Sequence, residues 1–113
     1  MKHTTRPFVM VSVALLVGGL AVVAPSRAQD RAALATRGEM LFRAEGCYGC
    51  HIVGKFGTAI GPNLSHVGAK YSRDYLTRWL QDPAAVRPTA HMPKLELSPE
   101  QIDALATYLS TLP

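Results

Sequence analysis

The pentapeptide Cys47-Tyr48-Gly49-Cys50-His51 constrains this chain more than any other part of its sequence. It contains both cysteines of the 113 residues. C-x-x-C-H is the pattern in which two thiols add to the vinyl groups of a haem and the adjacent histidine binds the iron. The motif therefore predicts one haem attached through Cys47 and Cys50, with His51 as an axial ligand.

Two other uses of paired cysteines stay open at this point. The dithiol could be a thioredoxin-type redox pair, or it could be half of a zinc site. The sequence offers no second C-x-x-C and no paired histidines to complete a zinc site. It also offers no strand pattern before the motif, as a thioredoxin-like context requires. Haem attachment is therefore the favoured interpretation.

The first 28 residues have the pattern of an export signal. Lys2 and Arg6 precede a 17-residue apolar run over residues 8–24, and a cut after Ala28 would leave small side chains at the minus-three and minus-one positions. A run of this length is also at the short limit of a membrane-spanning helix, so an uncleaved N-terminal anchor is the alternative. We expect residues 1–28 to be a signal peptide or anchor, and residues 29–113 to form one periplasmic domain.

The leader changes what the charge of the chain implies. Twelve Lys and Arg against eight Asp and Glu give a formal charge of +4. Lys2, Arg6 and Arg27 all lie in the leader, which leaves residues 29–113 with a formal charge of +1. Because no cluster of basic residues remains, we expect no nucleic-acid partner.

The two ends of the domain are predicted to be helical. Asp30 is the expected N-cap of a first helix from about Arg31 to Glu45, which Gly46 would end. Near the C-terminus, Ser98-Pro99-Glu100-Gln101 combines an N-cap serine, a first-turn proline and a capping-box glutamine. The helix that follows has an apolar face: Ile102, Leu105, Ala106 and Leu109.

The middle of the domain is predicted to hold one more helix between two irregular segments. Ser72 is the expected N-cap of this helix, which should stop near Asp82 because Pro83 disfavours a helical residue before it. Residues 53–70 hold four glycines and a proline, and residues 83–93 hold three prolines. Irregular segments of this length indicate that the domain wraps around a ligand.

Taken together, these features resemble the class I c-type cytochromes, the bacterial monohaem cytochromes c, over residues 30–113. Gly38 and Phe42 on the first helix, with Tyr108 on the last, look like that family's crossing of its terminal helices. A glycine at such a crossing lets the two backbones approach. The resemblance implies an all-α cytochrome c fold, with three or more helices and irregular loops around one covalently bound haem c.

The resemblance also assigns roles around the iron. Gly61-Pro62-Asn63-Leu64 matches the family's Gly-Pro-x-Leu segment, which implies that the Pro62 carbonyl accepts a hydrogen bond from His51. Met92, in a Met-Pro dipeptide before the last helix, matches the family's methionine ligand. The alternatives are His66 or His91 as sixth ligand, or an open five-coordinate iron.

The remaining candidates surround these ligands. Met40 is expected to fill the core, because it lies on the first helix. The resemblance implies that Trp79 or Tyr71 hydrogen-bonds a haem propionate, although either ring could simply anchor a helix. Lys55, Lys70 and Lys94 are candidates for a docking ring or for ordinary solvated charges. The expected apolar shell consists of Phe42, Ile60, Leu64, Tyr75, Leu76, Trp79, Leu95 and Leu105.

The function that these features predict is periplasmic electron transfer between redox partner proteins, through a haem iron with His51 and Met92 as axial ligands. We expect no enzymatic activity of the chain itself, since no hydrolytic, zinc-protease or phosphate-loop motif is present. The first alternative is a cytochrome subunit that relays electrons within a larger oxidoreductase, with membrane association through an uncleaved leader. The second alternative is a ligand-binding or peroxidatic haem protein.

Overall fold

A computed structural model describes residues 18, 19 and 21–113 of the chain. The described part has five helices: α1 (Arg27–Ala44), α2 (Val67–Lys70), α3 (Arg73–Gln81), α4 (Pro83–Val86) and α5 (Pro99–Ser110). A small antiparallel hairpin joins β1 (Ile52–Val53) to β2 (Phe56–Gly57), with Val53 opposite Phe56. The prediction of a mainly helical domain with irregular loops is confirmed.

Most of the expected leader lies outside the described residues. This holds for the basic start and for eleven of the 17 residues of the apolar run over residues 8–24. None of the helices formed by residues 21–113 is both long enough and apolar enough to cross a membrane.

The start of α1 differs from the prediction. Its N-cap is Ser26, whose hydroxyl accepts a hydrogen bond from the Gln29 backbone N–H at 3.3 Å, while the Gln29 side chain accepts one from the Ser26 N–H at 2.9 Å. Asp30 was wrongly predicted as the cap, because this reciprocal pair satisfies the helix end one turn earlier. Asp30 instead lies in the first turn, where its charge complements the helix dipole. The expected cut after Ala28 falls inside this turn.

The predictions for α3 and α5 are confirmed. Ser72 caps α3 by accepting a hydrogen bond from the Tyr75 N–H at 3.2 Å, and the helix ends at Gln81. Ser98 and Gln101 form the expected capping box of α5, with hydrogen bonds of 3.2 and 2.8 Å. The apolar face of α5 is buried as expected: Ile102, Leu105, Ala106 and Leu109.

Two short helices and the hairpin were not predicted. Asp82 ends α3 and also caps α4, because its carboxylate accepts a hydrogen bond from the Ala85 N–H at 3.2 Å. Pro83 then occupies the first position of α4, where its missing N–H is not needed. A residue that both ends one helix and begins another cannot be recognised from its local sequence alone.

The crossing of α1 and α5 is the centre of the fold. A Cβ atom at Gly38 would lie only 2.6 Å from Tyr108 Cβ and would overlap the Ala104 carbonyl oxygen, so this position requires glycine. Beside it, the Phe42 and Tyr108 rings pack edge to face with centroids 5.8 Å apart. The close approach that the resemblance implied is therefore present.

A polar contact joins α3 to the other side of α5. The Arg73 side chain donates through Nε to the Thr107 hydroxyl at 2.9 Å and through Nη2 to the Asp103 carboxylate. Thr107 is fully buried, and its hydroxyl also donates to the Asp103 carbonyl at 2.7 Å. These bonds satisfy a polar group inside the core and hold α3 in place.

Candidate functional site

A cavity of about 530 Å³ lies between α3, the loops on either side of it, and the inner faces of α1 and α5. This volume falls within the roughly 300–1,000 Å³ of pockets that hold a small ligand. All six residues predicted to bind the cofactor line the cavity: Cys47, Cys50, His51, Pro62, Trp79 and Met92. The fold thus brings residues from both halves of the domain around one space.

The wall of the cavity is mainly apolar. Seven of the eight predicted shell residues line it: Phe42, Ile60, Leu64, Tyr75, Leu76, Trp79 and Leu105. Leu95 does not. Val67, Leu80 and Leu109 also line the cavity, although none was predicted to. Leu80 and Leu109 could have been found from the apolar faces of their helices, whereas Val67 belongs to a helix too short to show a pattern. Such a wall suits a large apolar cofactor.

A tight turn places the two cysteines and the histidine on the same side. Gly46 adopts φ +73°, which ends α1 and lets the chain enter a 3₁₀ turn over Cys47–Gly49. The Cys47 carbonyl then accepts hydrogen bonds from the Cys50 and His51 N–H groups, at 3.2 and 2.9 Å. Both cysteines are free thiols; Cys47 is half-buried, and burial raises the pKa of its thiol, whereas Cys50 is exposed.

Tyr48, a variable position of the motif, connects this turn to the core. Its ring packs edge to face on Phe42 with centroids 4.8 Å apart, and the Arg43 guanidinium lies 5.9 Å from its centroid. The sequence pattern assigned no role to Tyr48. Its contacts fix the turn against α1, so the motif is part of the packed structure.

The histidine ring is oriented by the main chain. His51 Nδ1 lies 2.8 Å from the Pro62 carbonyl oxygen, the contact that the resemblance implied. Because a carbonyl can only accept, Nδ1 carries the proton and Nε2 keeps a free lone pair for a metal. A Cβ atom at Gly61 would lie 2.7 Å from His51 Cε1, and one at Gly57 would overlap the His51 carbonyl oxygen. Glycine at both positions lets the loop close around His51.

Met92 is held in the cavity by the indole of Trp79. The Trp79 Nε1–H donates to the Met92 sulfur with a donor–acceptor distance of 3.2 Å. The structure therefore gives this N–H a sulfur partner, and a contact between Trp79 and a haem propionate stays a prediction. The Met92 loop is also tied down by Lys94, whose ammonium lies 3.8 Å from the Asp82 carboxylate.

Trp79 belongs to a row of aromatic rings along the cavity. Tyr71 and Tyr75 stack with centroids 4.5 Å apart, and Tyr75 and Trp79 follow at 6.3 Å. The Arg87 guanidinium lies 5.8 Å from the Trp79 ring centroid and closes the row. All four side chains line the cavity, so α3 and the residues that flank it, Tyr71 and Arg87, form one wall.

The other candidate iron ligands, Met40, His66 and His91, differ in whether they line the cavity. Met40 does not line the cavity and is 61% exposed, so the expectation that it fills the core was wrong. The buried positions of α1 are Gly38 and Phe42. Met40 is two positions from each of them and therefore lies on the opposite face of the helix. His66 also lies outside the cavity lining, and its Nδ1 is 2.5 Å from the Pro113 carbonyl oxygen. Among these alternatives only His91 shares the lining with Met92.

The three candidate lysines differ in their surroundings. Lys70 lines the cavity, Lys94 pairs with Asp82, and Lys55 lies at the turn of the hairpin. Their roles toward a partner stay predictions.

The surroundings of the cysteines bear on the zinc and thioredoxin interpretations. A helix, α1, leads directly into the motif, where a thioredoxin-type site would have a strand. Within residues 21–113, no three His, Cys, Asp or Glu side chains come together as a metal-binding group. The cysteines instead share a cavity with two histidines, His51 and His91, and with the thioether of Met92.

Comparison with known proteins agrees with this geometry. The family model described as cytochrome c matches residues 35–113. The chain is similar to cytochrome c oxidase subunit 2 of Alkalihalophilus pseudofirmus, with 33% identity over 88 residues that cover 70% of this chain and 26% of that protein. It is also 33% identical over 94 residues to cytochrome c oxidase subunit 2 of Bacillus sp. (strain PS3), with the same coverage. The chain spans about a quarter of the length of these curated relatives.

Proposed function

The chain belongs to the cytochrome c family, and from this membership we propose that it is a monohaem electron-transfer protein on the periplasmic side of a membrane. Cys47 and Cys50 would hold one haem c covalently, and His51 and Met92 would bind its iron. The observation that carries this proposal is the apolar cavity lined by all four of these side chains. The leader pattern supports the proposed location.

The residues of the cavity fit this cofactor. Two free thiols lie one turn apart beside the cavity, as attachment to two vinyl groups requires. The Pro62 carbonyl keeps the proton of His51 on Nδ1 and makes Nε2 the coordinating atom. The second proposed ligand is the neutral thioether sulfur of Met92, a soft ligand that would favour ferrous iron and raise the reduction potential.

Bound in this cavity, haem c would supply a one-electron Fe(III)/Fe(II) couple. The protein chain contributes the iron ligands and the apolar surroundings of the haem. His51 and Met92 would both bind the iron and would thereby keep small molecules from it. The apolar wall excludes water, which limits the reorganisation that accompanies each change of charge. No step requires bond chemistry on a substrate, and we accordingly propose a carrier that is not itself an enzyme.

A second candidate function is supported by the relatives. Both matched proteins are named as oxidase subunits, and the similarity covers about a quarter of each. The chain could accordingly relay electrons as the cytochrome subunit of a larger oxidoreductase. Stable co-purification with other subunits would support this role. A free protein that exchanges electrons with several partners would instead favour the soluble carrier.

The visible spectrum of the purified holoprotein tests the axial ligands. Wild type should show the thioether-to-iron charge-transfer band in the oxidised state and should not bind carbon monoxide when reduced at neutral pH. Met92→Ala should lose the band and gain carbon monoxide binding. Met40→Ala is the matched control, because Met40 is exposed and lies outside the cavity. A wild-type spectrum without the band contradicts the Met92 assignment.

Covalent attachment is tested separately. Cys50→Ser and Cys47→Ser should each leave the haem extractable by acid and organic solvent, or abolish the holoprotein. A haem that stays fully covalent in either variant would contradict the assignment of two thioether bonds.

A further inference from the structure

The capping pair at the start of α1 spans the expected cut site of the leader. Ser26 lies before the cut after Ala28, and Gln29 lies after it. The two hydrogen bonds of the pair join Ser26 to Gln29, with lengths of 2.9 and 3.3 Å. All three residues are exposed. Removal of the leader would therefore break both bonds, and the backbone nitrogen of Gln29 would become a free amine.

This amine would lie at the positive end of α1. The N–H groups of the first turn that lack a partner within the helix give its N-terminus a partial positive charge. An α-amino group is mostly protonated at neutral pH. The next two side chains, Asp30 and Arg31, carry opposite charges and balance each other. A reaction that removes the charge of the amine would consequently stabilise this end of the helix.

Gln29 itself carries the group that can remove this charge. Attack of its α-amine on its own side-chain Cδ closes a pyrrolidone ring. The new bond joins the amine nitrogen to Cδ, the bond between Cδ and Nε2 breaks, and the side-chain nitrogen leaves as ammonia. The step is intramolecular, changes no oxidation state and needs no co-reactant. With the leader attached, the same nitrogen is a peptide amide and the side chain is bonded to Ser26, so the reaction requires the cut.

We propose that Gln29 is a modification site, and that removal of the leader lets its amine and side chain close into pyroglutamate at the start of α1. This inference rests on the export that the proposed function includes, and it does not depend on the haem ligands. Once Ser26 is removed, Asp30 is the next good capping residue. The modified residue then lies just outside the helix and carries no positive charge.

The intact mass of the exported holoprotein tests this modification. The protein is purified from cells that export it, and its mass is compared with that of residues 29–113 carrying one haem. Cyclisation should lower this mass by about 17 Da, the mass of ammonia. N-terminal sequencing should be blocked, because no free amine remains. Treatment with an aminopeptidase that removes pyroglutamate should then make Asp30 the first residue.

A matched variant makes the test specific. Gln29→Asn keeps a side-chain amide, but its side chain is one carbon shorter and cannot close the pyrrolidone ring. Because residue 29 is exposed, the variant should fold as wild type does. It should keep the full mass of its mature chain and a free amine that can be sequenced. Loss of ammonia from this variant as well would assign the loss to another group and overturn the proposal.

The other outcomes are equally decisive. A wild-type protein that begins at Gln29 with a free amine overturns the modification. A retained leader, or a cut at another position, also overturns it, because the reactive amine is then never formed. The visible spectrum of the same samples tests the haem ligands separately. A His/Met haem spectrum with an unmodified Gln29 overturns only the modification, whereas pyroglutamate without that spectrum overturns only the ligand assignment.

Discussion

The ring of His51 is positioned by its neighbours' backbones, and glycine is needed where those backbones come closest. Gly61 leaves no room for a side chain, since a Cβ atom there would lie 2.7 Å from His51 Cε1. Gly49, inside the motif, is different, because a Cβ atom there would meet nothing within 4 Å. The two glycines form a matched pair for testing whether this close approach matters.

We predict that Gly61→Ala destabilises the holoprotein and that Gly49→Ala does not. The added methyl group must displace the His51 ring from its bond with Pro62, and overpacking of this kind costs about 1–3 kcal/mol. The free energy of unfolding from denaturant titration measures the loss. Equal stabilities of the two alanine variants would show that the loop relaxes without moving the ring.

A second prediction concerns the bond between Trp79 and Met92. Trp79→Phe removes the N–H that holds the sulfur but keeps an aromatic ring beside Tyr75. A neutral hydrogen bond contributes about 0.5–1.5 kcal/mol. Without this bond, an added ligand should displace Met92 from the iron more readily. We expect the affinity of the oxidised protein for imidazole, followed by its spectrum, to rise between about twofold and tenfold. Tyr71→Phe, which leaves the sulfur contact intact, should bind imidazole as wild type does.

Tyr108 provides a prediction about pH. Burial, with smaller contributions from Tyr48 and Glu39, raises the pKa of Tyr108 from 10.0 to about 12. The folded state therefore keeps a proton that the unfolded state releases, so this contribution to stability is complete below pH 10 and is lost as pH rises toward 12. The free energy of unfolding of wild type minus that of Tyr108→Phe should fall over this interval. A difference that stays constant from pH 9 to 12 would contradict the shift.

At the scale of secondary structure, the elements with complete local signals were predictable and the others were not. Each of α3 and α5 begins at a serine cap followed by an amphipathic face, and both were located correctly. The start of α1 was missed because two good caps, Ser26 and Asp30, stand one turn apart. The short helices α2 and α4 and the hairpin depend on contacts that local sequence does not show.

The capping box of α5 gives a prediction at this scale. Ser98→Ala removes the hydroxyl that accepts the Gln101 N–H, and loss of an N-cap costs about 0.5–2 kcal/mol. Because α5 packs across α1, the loss should appear in the global free energy of unfolding. Ser98→Asp supplies another good cap and should restore most of the stability. Failure of Asp to rescue would mean that the serine acts through something other than the cap.

The site shows the same division between what sequence can and cannot predict. The attachment motif and the Met-Pro dipeptide are contiguous patterns, so the residues around the cavity could be named in advance. The sulfur partner of Trp79 could not, because that contact depends on how the loop over residues 83–93 folds back on α3. The exposure of Met40 was missed for a related reason, since which face of α1 is buried is decided by the Gly38 crossing.

For the molecule as a whole, the cavity and the core are not separate. Phe42, Leu105 and Leu109 belong to the buried core and also line the cavity. Without the cofactor, these side chains face about 530 Å³ of space that only water could fill. A small domain in which so many apolar side chains lack packing contacts has a low free energy of unfolding.

We therefore predict that the chain without haem is largely unfolded. Far-ultraviolet circular dichroism of the Cys47→Ser/Cys50→Ser double variant, prepared free of haem, should show a small fraction of the helical signal of the holoprotein. Added haem should restore part of that signal, since a ligand that binds only the folded state stabilises it by mass action. Native-like helicity and a cooperative thermal transition in the haem-free variant would contradict this prediction.

In the segment over residues 56–62, the main chain and one side chain have separate positions. The Pro62 carbonyl accepts the His51 hydrogen bond and Gly57 and Gly61 leave room for His51, whereas the Phe56 side chain is 69% exposed and lies outside the cavity lining. The identity of residue 56 is thus free to vary without disturbing His51. Position 56 is consequently suited to carry a label or a surface tether in a protein whose visible spectrum stays constant.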